Sequence, residues 1–230
     1  MSNRPTAKDN GFKPTAPQSE GNSRALWIGI GVAAVVILAA IGLAAATEDT
    51  TDETSTSGTA GAVSQNARIL GDALPAMPDA PGIVSNDAAV GTAIPTVEGK
   101  SFDGSAVTIK SGERQLLIFA AHWCPHCQNE IPKVVQWRKS DVIPRDIKVT
   151  LISTYVIPER GNYPPASWLT EAEFKDPTMA DTTSNRVAHA FGVAGFPTLI
   201  AVNADGTVAM RGSAELGQTE IEQLVAATKG

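Results

Sequence analysis

Residues 115–127 read QLLIFAAHWCPHC. The segment LLIFAA, residues 116–121, is a short continuous apolar run, the composition of a strand buried on both faces of a sheet. Both cysteines of the chain follow it, in Cys124-Pro125-His126-Cys127. Beyond them Ile131, Val134, Val135 and Trp137 fit a helical stripe. The stretch therefore predicts a strand, a turn and a helix, with the cysteine pair at the helix start. There, unpaired N–H groups and the macrodipole favour an anion on Cys124, and a protonated His126 adds positive charge. The thiolate is the nucleophilic form of cysteine. This makes Cys124 the attacking sulfur and Cys127, one turn further in, the resolving sulfur that breaks a mixed disulfide.

Other uses of the pair remain to be weighed. C-x-x-C is half of a zinc site, and soft thiolates also hold Cu(I), but only His122, His126 and His189 could complete either set. A structural disulfide would close a tiny loop and stabilise little. Haem attachment needs a histidine directly after the second cysteine, and Gln128 stands there. An interaction domain with no redox role is a further class.

Outward from this nucleus, residues 89–230 read as one compact domain. Residues 97–109 predict a hairpin around Asp103-Gly104. Residues 147–154 and 198–202 predict strands, as do 207–211 after a turn at 203–206. Helices are expected over 164–174, with Thr170 and Glu173 at capping-box spacing, over 183–191 ending at Gly192, and over 219–228. The order, a hairpin and then β-α-β-α-β-β-α, predicts an α/β fold with a mixed central sheet flanked by helices.

Upstream, residues 1–24 are polar and read as a short disordered cytoplasmic tail. Residues 25–47 carry no charge, and about 20 apolar residues cross a bilayer core, so a single transmembrane anchor is expected. A cleaved signal peptide ending near Ala44-Ala45-Ala46 is its rival. Arg24 before the run, and Glu48, Asp49, Asp52 and Glu53 after it, place the N-terminus in the cytoplasm and the rest outside. Residues 48–88, rich in Thr, Ser, Gly, Ala and Asp, are expected to be a flexible linker, with a short helix considered for 65–77.

Composition sets limits. The chain has 230 residues, with 18 Lys+Arg against 24 Asp+Glu for a formal charge of −6. That balance argues against nucleic-acid binding, which needs a basic face.

Trp-Cys-x-x-Cys after a strand, with Pro132 eight residues after Cys124, resembles the thioredoxin superfamily. Gly195-Phe196-Pro197-Thr198 is similar to its cis-proline loop. Cys124-x-x-Cys127-x-x-Glu130-x-Pro132 and the hairpin extension resemble the TlpA/ResA-like branch of membrane-anchored, exported proteins. The Pro125-His126 dipeptide is similar instead to the disulfide oxidase DsbA. The resemblance implies a thioredoxin-like fold and thiol–disulfide exchange with exported proteins through a redox-active Cys124–Cys127 disulfide, with no metal or organic cofactor. It implies a substrate surface of Trp123, Pro125, Phe196 and Pro197, and a membrane redox partner that resets the cysteines. The DsbA-like dipeptide favours oxidation; reduction, for example of apocytochrome cysteines, is the alternative. Glu130 corresponds to the branch's active-site glutamate, which aids proton transfer at Cys127; a solvated carboxylate in the first helical turn is the other reading. The buried acid that many thioredoxins carry six residues before the first cysteine is replaced by Ile118. His122 is expected at the surface, with tuning of the thiolate as the other reading. The loop 156–165 is a connector, or a border of the site that shapes partner choice.

Overall fold

The computed structural model describes residues 64–78 and 80–230. The expected tail, anchor and first part of the linker lie outside them. Among the described residues no helix is long and apolar enough to cross a membrane.

The expected central strand is β5 (Gln115–Ala120), and all six of its residues are buried. Its side chains alternate between two cores. Leu116, Ile118 and Ala120 face one; Leu117 and Phe119 face the other. A continuous apolar run is what a strand covered on both sides requires. β5 pairs in parallel with β6 (Lys148–Ser153), which pairs in parallel with β7 (Thr178–Ala180). On its other edge β5 meets β8 (Thr198–Val202) antiparallel, and β9 (Val208–Ser213) and β2 (Gly82–Ile83) continue the sheet antiparallel. The result is a mixed six-stranded sheet, β2-β9-β8-β5-β6-β7.

One face is covered by α1 (Pro125–Lys139), α2 (Pro165–Glu171) and α4 (Gln218–Ala227), through Ile131, Val134, Trp168, Leu169, Ile221 and Leu224. The other face receives α3 (Arg186–Ala190) and a small antiparallel sheet of β1 (Arg68–Leu70), β3 (Thr96–Lys100) and β4 (Ala106–Ile109). β3 and β4 are the hairpin expected around Asp103-Gly104, and Gly104 adopts φ +85 at its turn.

Several expectations need correction. Residues 64–78 and 80–88 do not belong to a linker: they contribute β1 and β2 and bury Ala67, Leu74 and Met77. The short helix considered for 65–77 is absent. Ala67, Leu74 and Met77 mimic helical spacing, but Gly71 sits at φ +96, outside the helical region. This segment is tied down by the fully buried Arg211, whose Nε and Nη2 meet both oxygens of Asp87 at 2.7 and 2.6 Å. Nη1 of Arg211 donates to the carbonyl of Pro75 at 3.0 Å. Thr170 and Glu173 form no capping box, because Glu173 lies beyond α2; the Thr170 hydroxyl donates back to the Ala166 carbonyl at 2.9 Å. β7 was not expected either. Thr-Met-Ala is too short to signal a strand, and its conformation comes from pairing with Leu151, Ile152 and Ser153.

Candidate active site

Cys124 is the N-cap of α1 and Pro125 its first residue. The backbone of Cys124 is extended (φ −77, ψ 120), and the amides of Cys127 and His126 face its sulfur. Pro125 fits there because an amide at the first helical position would have no intrahelical partner. Cys124 is 6% exposed and Cys127 is fully buried. Of the two, Cys124 lies nearer the surface.

Pro197 is cis, and the Phe196 carbonyl of that bond lies 3.6 Å from Cys124 Sγ. Trp123 packs edge-on against Phe196, with ring centroids 6.5 Å apart. Tyr155 meets Phe196 from another side at 5.1 Å. Of the expected substrate surface, the fold brings Trp123, Phe196 and Pro197 together beside the sulfur, while Pro125 stands exposed at the helix start.

The electrostatics separate the two thiols. Cys124 is lowered to about 6, chiefly because the Cys127 thiol hydrogen bonds to its sulfur. Burial opposes this, and the amides of Cys127 and His126 and then the His126 charge add to it. The sequence placed the helix mouth and His126 first; the partner cysteine outranks both. Cys127 is pushed strongly upward by that same bond and by burial. At neutral pH the outer sulfur is the thiolate and the inner one its donor.

His126 is exposed, and its Nδ1 lies 2.9 Å from Glu215 Oε1. Glu215 raises the pKa of His126 and so favours its charged form. Asn129 Nδ2 at 3.0 Å and Lys133 Nζ at 3.1 Å also reach this carboxylate. With Asn129, His126 and Lys133 around it, Glu215 is lowered to about 2. No local pattern in the sequence marks Glu215; the start of α4 brings it to α1.

Glu130 is fully buried, not solvated. Burial raises it to about 7, against the opposing Leu216 N–H at 3.3 Å and Lys133 Nζ at 3.6 Å. Its charge acts on Cys127. His122, expected at the surface, is fully buried as well. Its Nδ1–H donates to the Gly161 carbonyl at 2.8 Å, and Nε2 accepts the Ile157 N–H at 3.2 Å. Both ring nitrogens are thereby committed, and His126 Nδ1 is held by Glu215. His189 Nε2 is bonded to the Tyr155 hydroxyl at 2.8 Å. Among the described residues no three of His, Cys, Asp and Glu gather as metal ligands.

A family model described as a thioredoxin-like domain matches residues 105–229. The chain belongs to the thioredoxin-like family. Family and CxxC pair together make it a protein thiol–disulfide oxidoreductase. Among solved structures, this thioredoxin-like chain is similar in fold to a DsbF homologue from Corynebacterium diphtheriae. That match has a TM-score of 0.55 at 14% identity and covers 68% of this chain and 99% of that one. A thiol:disulfide interchange protein DsbE from Chlorobium tepidum, described as putative, is similar with a TM-score of 0.51 at 20% identity. It covers 60% of this chain and 96% of that one. No curated protein matches the chain.

Proposed function

We propose that the chain is a membrane-anchored oxidoreductase whose catalytic domain lies outside the cytoplasm and reduces disulfides of exported proteins, apocytochrome cysteines among the candidates. One observation carries the reading: a Cys124 sulfur at the mouth of α1, lowered to about 6, beside the fully buried Cys127 thiol and against the Phe196–Pro197 turn. The anchor rests on residues 25–47 of the sequence.

The direction reverses the preference drawn from the Pro125-His126 dipeptide. Stabilising the thiolate stabilises the reduced form and makes the disulfide more oxidising. Thioredoxin's thiol titrates near about 7 and that of DsbA near about 3.5. Lowered to about 6, Cys124 does not reach the depth of the DsbA thiol. The oxidising direction keeps one observation in its favour: Glu215 favours the charged form of His126.

In the reducing direction the Cys124 thiolate attacks a substrate disulfide, forming a mixed disulfide and releasing one substrate sulfur as thiolate. Cys127 then loses its proton to the Glu130 carboxylate. Its thiolate attacks the Cys124 sulfur, closes the Cys124–Cys127 disulfide and frees the second substrate sulfur. The two cysteines lose two electrons and the substrate disulfide gains them. A membrane dithiol partner returns the electrons by the reverse exchange.

Insulin reduction tests the reading: wild type should turn over, and Cys124→Ser should not. Equal rates would remove the proposal. Equilibration with glutathione tests direction. A potential near thioredoxin's, about −270 mV, supports reduction, and one near about −120 mV supports oxidation.

A further inference from the structure

The loop between β6 and α2 takes no part in the exchange above, yet it is fastened to the active-site turn. A surface loop of this kind is ordinarily among the more mobile parts of a fold. Here the buried His122 ring holds Ile157 and Gly161, and the His122 carbonyl accepts Asn162 Nδ2 at 3.2 Å. Next to it, Trp123 Nε1–H donates to the Tyr155 carbonyl at 2.7 Å. These four bonds fix where the loop's charges stand.

Arg160 is the cation so placed. Its guanidinium carbon lies 5.5 Å from the centre of the Trp123 ring, within cation–π range. The residue is exposed. It takes part in none of the ion pairs found among the described residues, neighbouring Glu159 included. His126 differs: when protonated, its charge is met by Glu215. Trp123 in turn leans on Phe196, whose carbonyl touches the Cys124 sulfur. A positive charge with no acidic partner among the described residues thus sits on the rim of the proposed substrate surface. A thiolate repels a carboxylate close to the disulfide it attacks. A guanidinium on that rim offsets the repulsion and can pair with the carboxylate in two-pronged geometry.

We propose that Arg160, presented by the His122-fastened loop, is a specificity-determining residue that favours protein substrates with an acidic side chain next to the target disulfide. This rests on the oxidoreductase reading above, and the experiment separates the two. Two peptide disulfides, identical except for Glu or Gln beside the cysteine, are mixed with the pre-reduced full-length chain in single turnover. The Cys124 and Cys127 sulfurs give two electrons to the peptide disulfide. Cys124 and Cys127 become a disulfide, and the peptide leaves as one thiolate and one thiol. The readout is the ratio of second-order rate constants, Glu peptide over Gln peptide.

At low ionic strength wild type should favour the Glu peptide by about two- to fivefold, the scale of an exposed ion pair. The ratio should fall to near one in Arg160→Gln, drop below one in Arg160→Glu, and decay in wild type as salt is added. A wild-type ratio of one, or the same ratio in wild type and Arg160→Glu, overturns the proposal. A wild-type chain that reduces neither peptide overturns the oxidoreductase reading instead.

Discussion

Glu130→Gln keeps the shape of a fully buried side chain and deletes its ability to carry charge. In the unfolded chain this carboxyl titrates near its ordinary 4.5; burial lifts it to about 7 in the fold. Between those values the folded state keeps a proton that the unfolded state has released. Wild-type stability from this group is therefore highest below pH 4.5, falls as pH rises through the window, and is level above about 7. At 1.36 kcal/mol for each tenfold change the loss is about 3 kcal/mol. The variant has no such slope, and its amide oxygen can still accept the Leu216 N–H. Urea unfolding of reduced protein, followed by tryptophan fluorescence, should show the variant gaining on wild type by about 3 kcal/mol between pH 4.5 and pH 8. The same variant should resolve the mixed disulfide more slowly by about a hundredfold or more, because Cys127 loses its proton acceptor. Parallel stability profiles across that pH range would refute the burial argument. Unchanged resolution would refute the proton-transfer role.

Cys127→Ala removes the hydrogen bond that contributes most to holding Cys124 near 6, so the pH midpoint of Cys124 alkylation by iodoacetamide should move up; a fixed midpoint would discredit that bond. Glu215→Gln should shift the His126 titration down toward its ordinary 6.5 in an NMR pH series, whereas no shift would mean the contact is not kept in solution. Asp87→Ala leaves the Arg211 guanidinium buried without its counter-charge and should cost about 3–5 kcal/mol in chemical unfolding. Replacing the pair by Asp87→Leu with Arg211→Met should recover most of that loss.

The strand-turn-helix around Cys124 was legible because its determinants are local. An apolar run, the cysteine pair and an apolar stripe all lie between residues 116 and 137. The cis peptide at Pro197 was legible only through resemblance to a family, since nothing local in Phe-Pro-Thr demands it. Features that depend on distant partners were misread. Glu130 and His122 gave no sign of their burial: one lies under Leu216 and the other under the loop carrying Gly161. Glu215 reaches His126 from the far end of the chain, and Asp87 reaches Arg211 across most of the domain. Such pairings arise when the sheet assembles, and short-range periodicity cannot encode them.

The anchoring of the stretch before β3 bears on how the catalytic unit can be isolated. A chain begun at residue 89 would shed Leu74 and Met77 from the interior, together with their amide bonds to the carbonyls of Ala190 and Gly192. It would also strand a guanidinium in the dark of the protein. A catalytic unit that keeps these contacts starts upstream of Ala67, well ahead of the segment that carries the family signature.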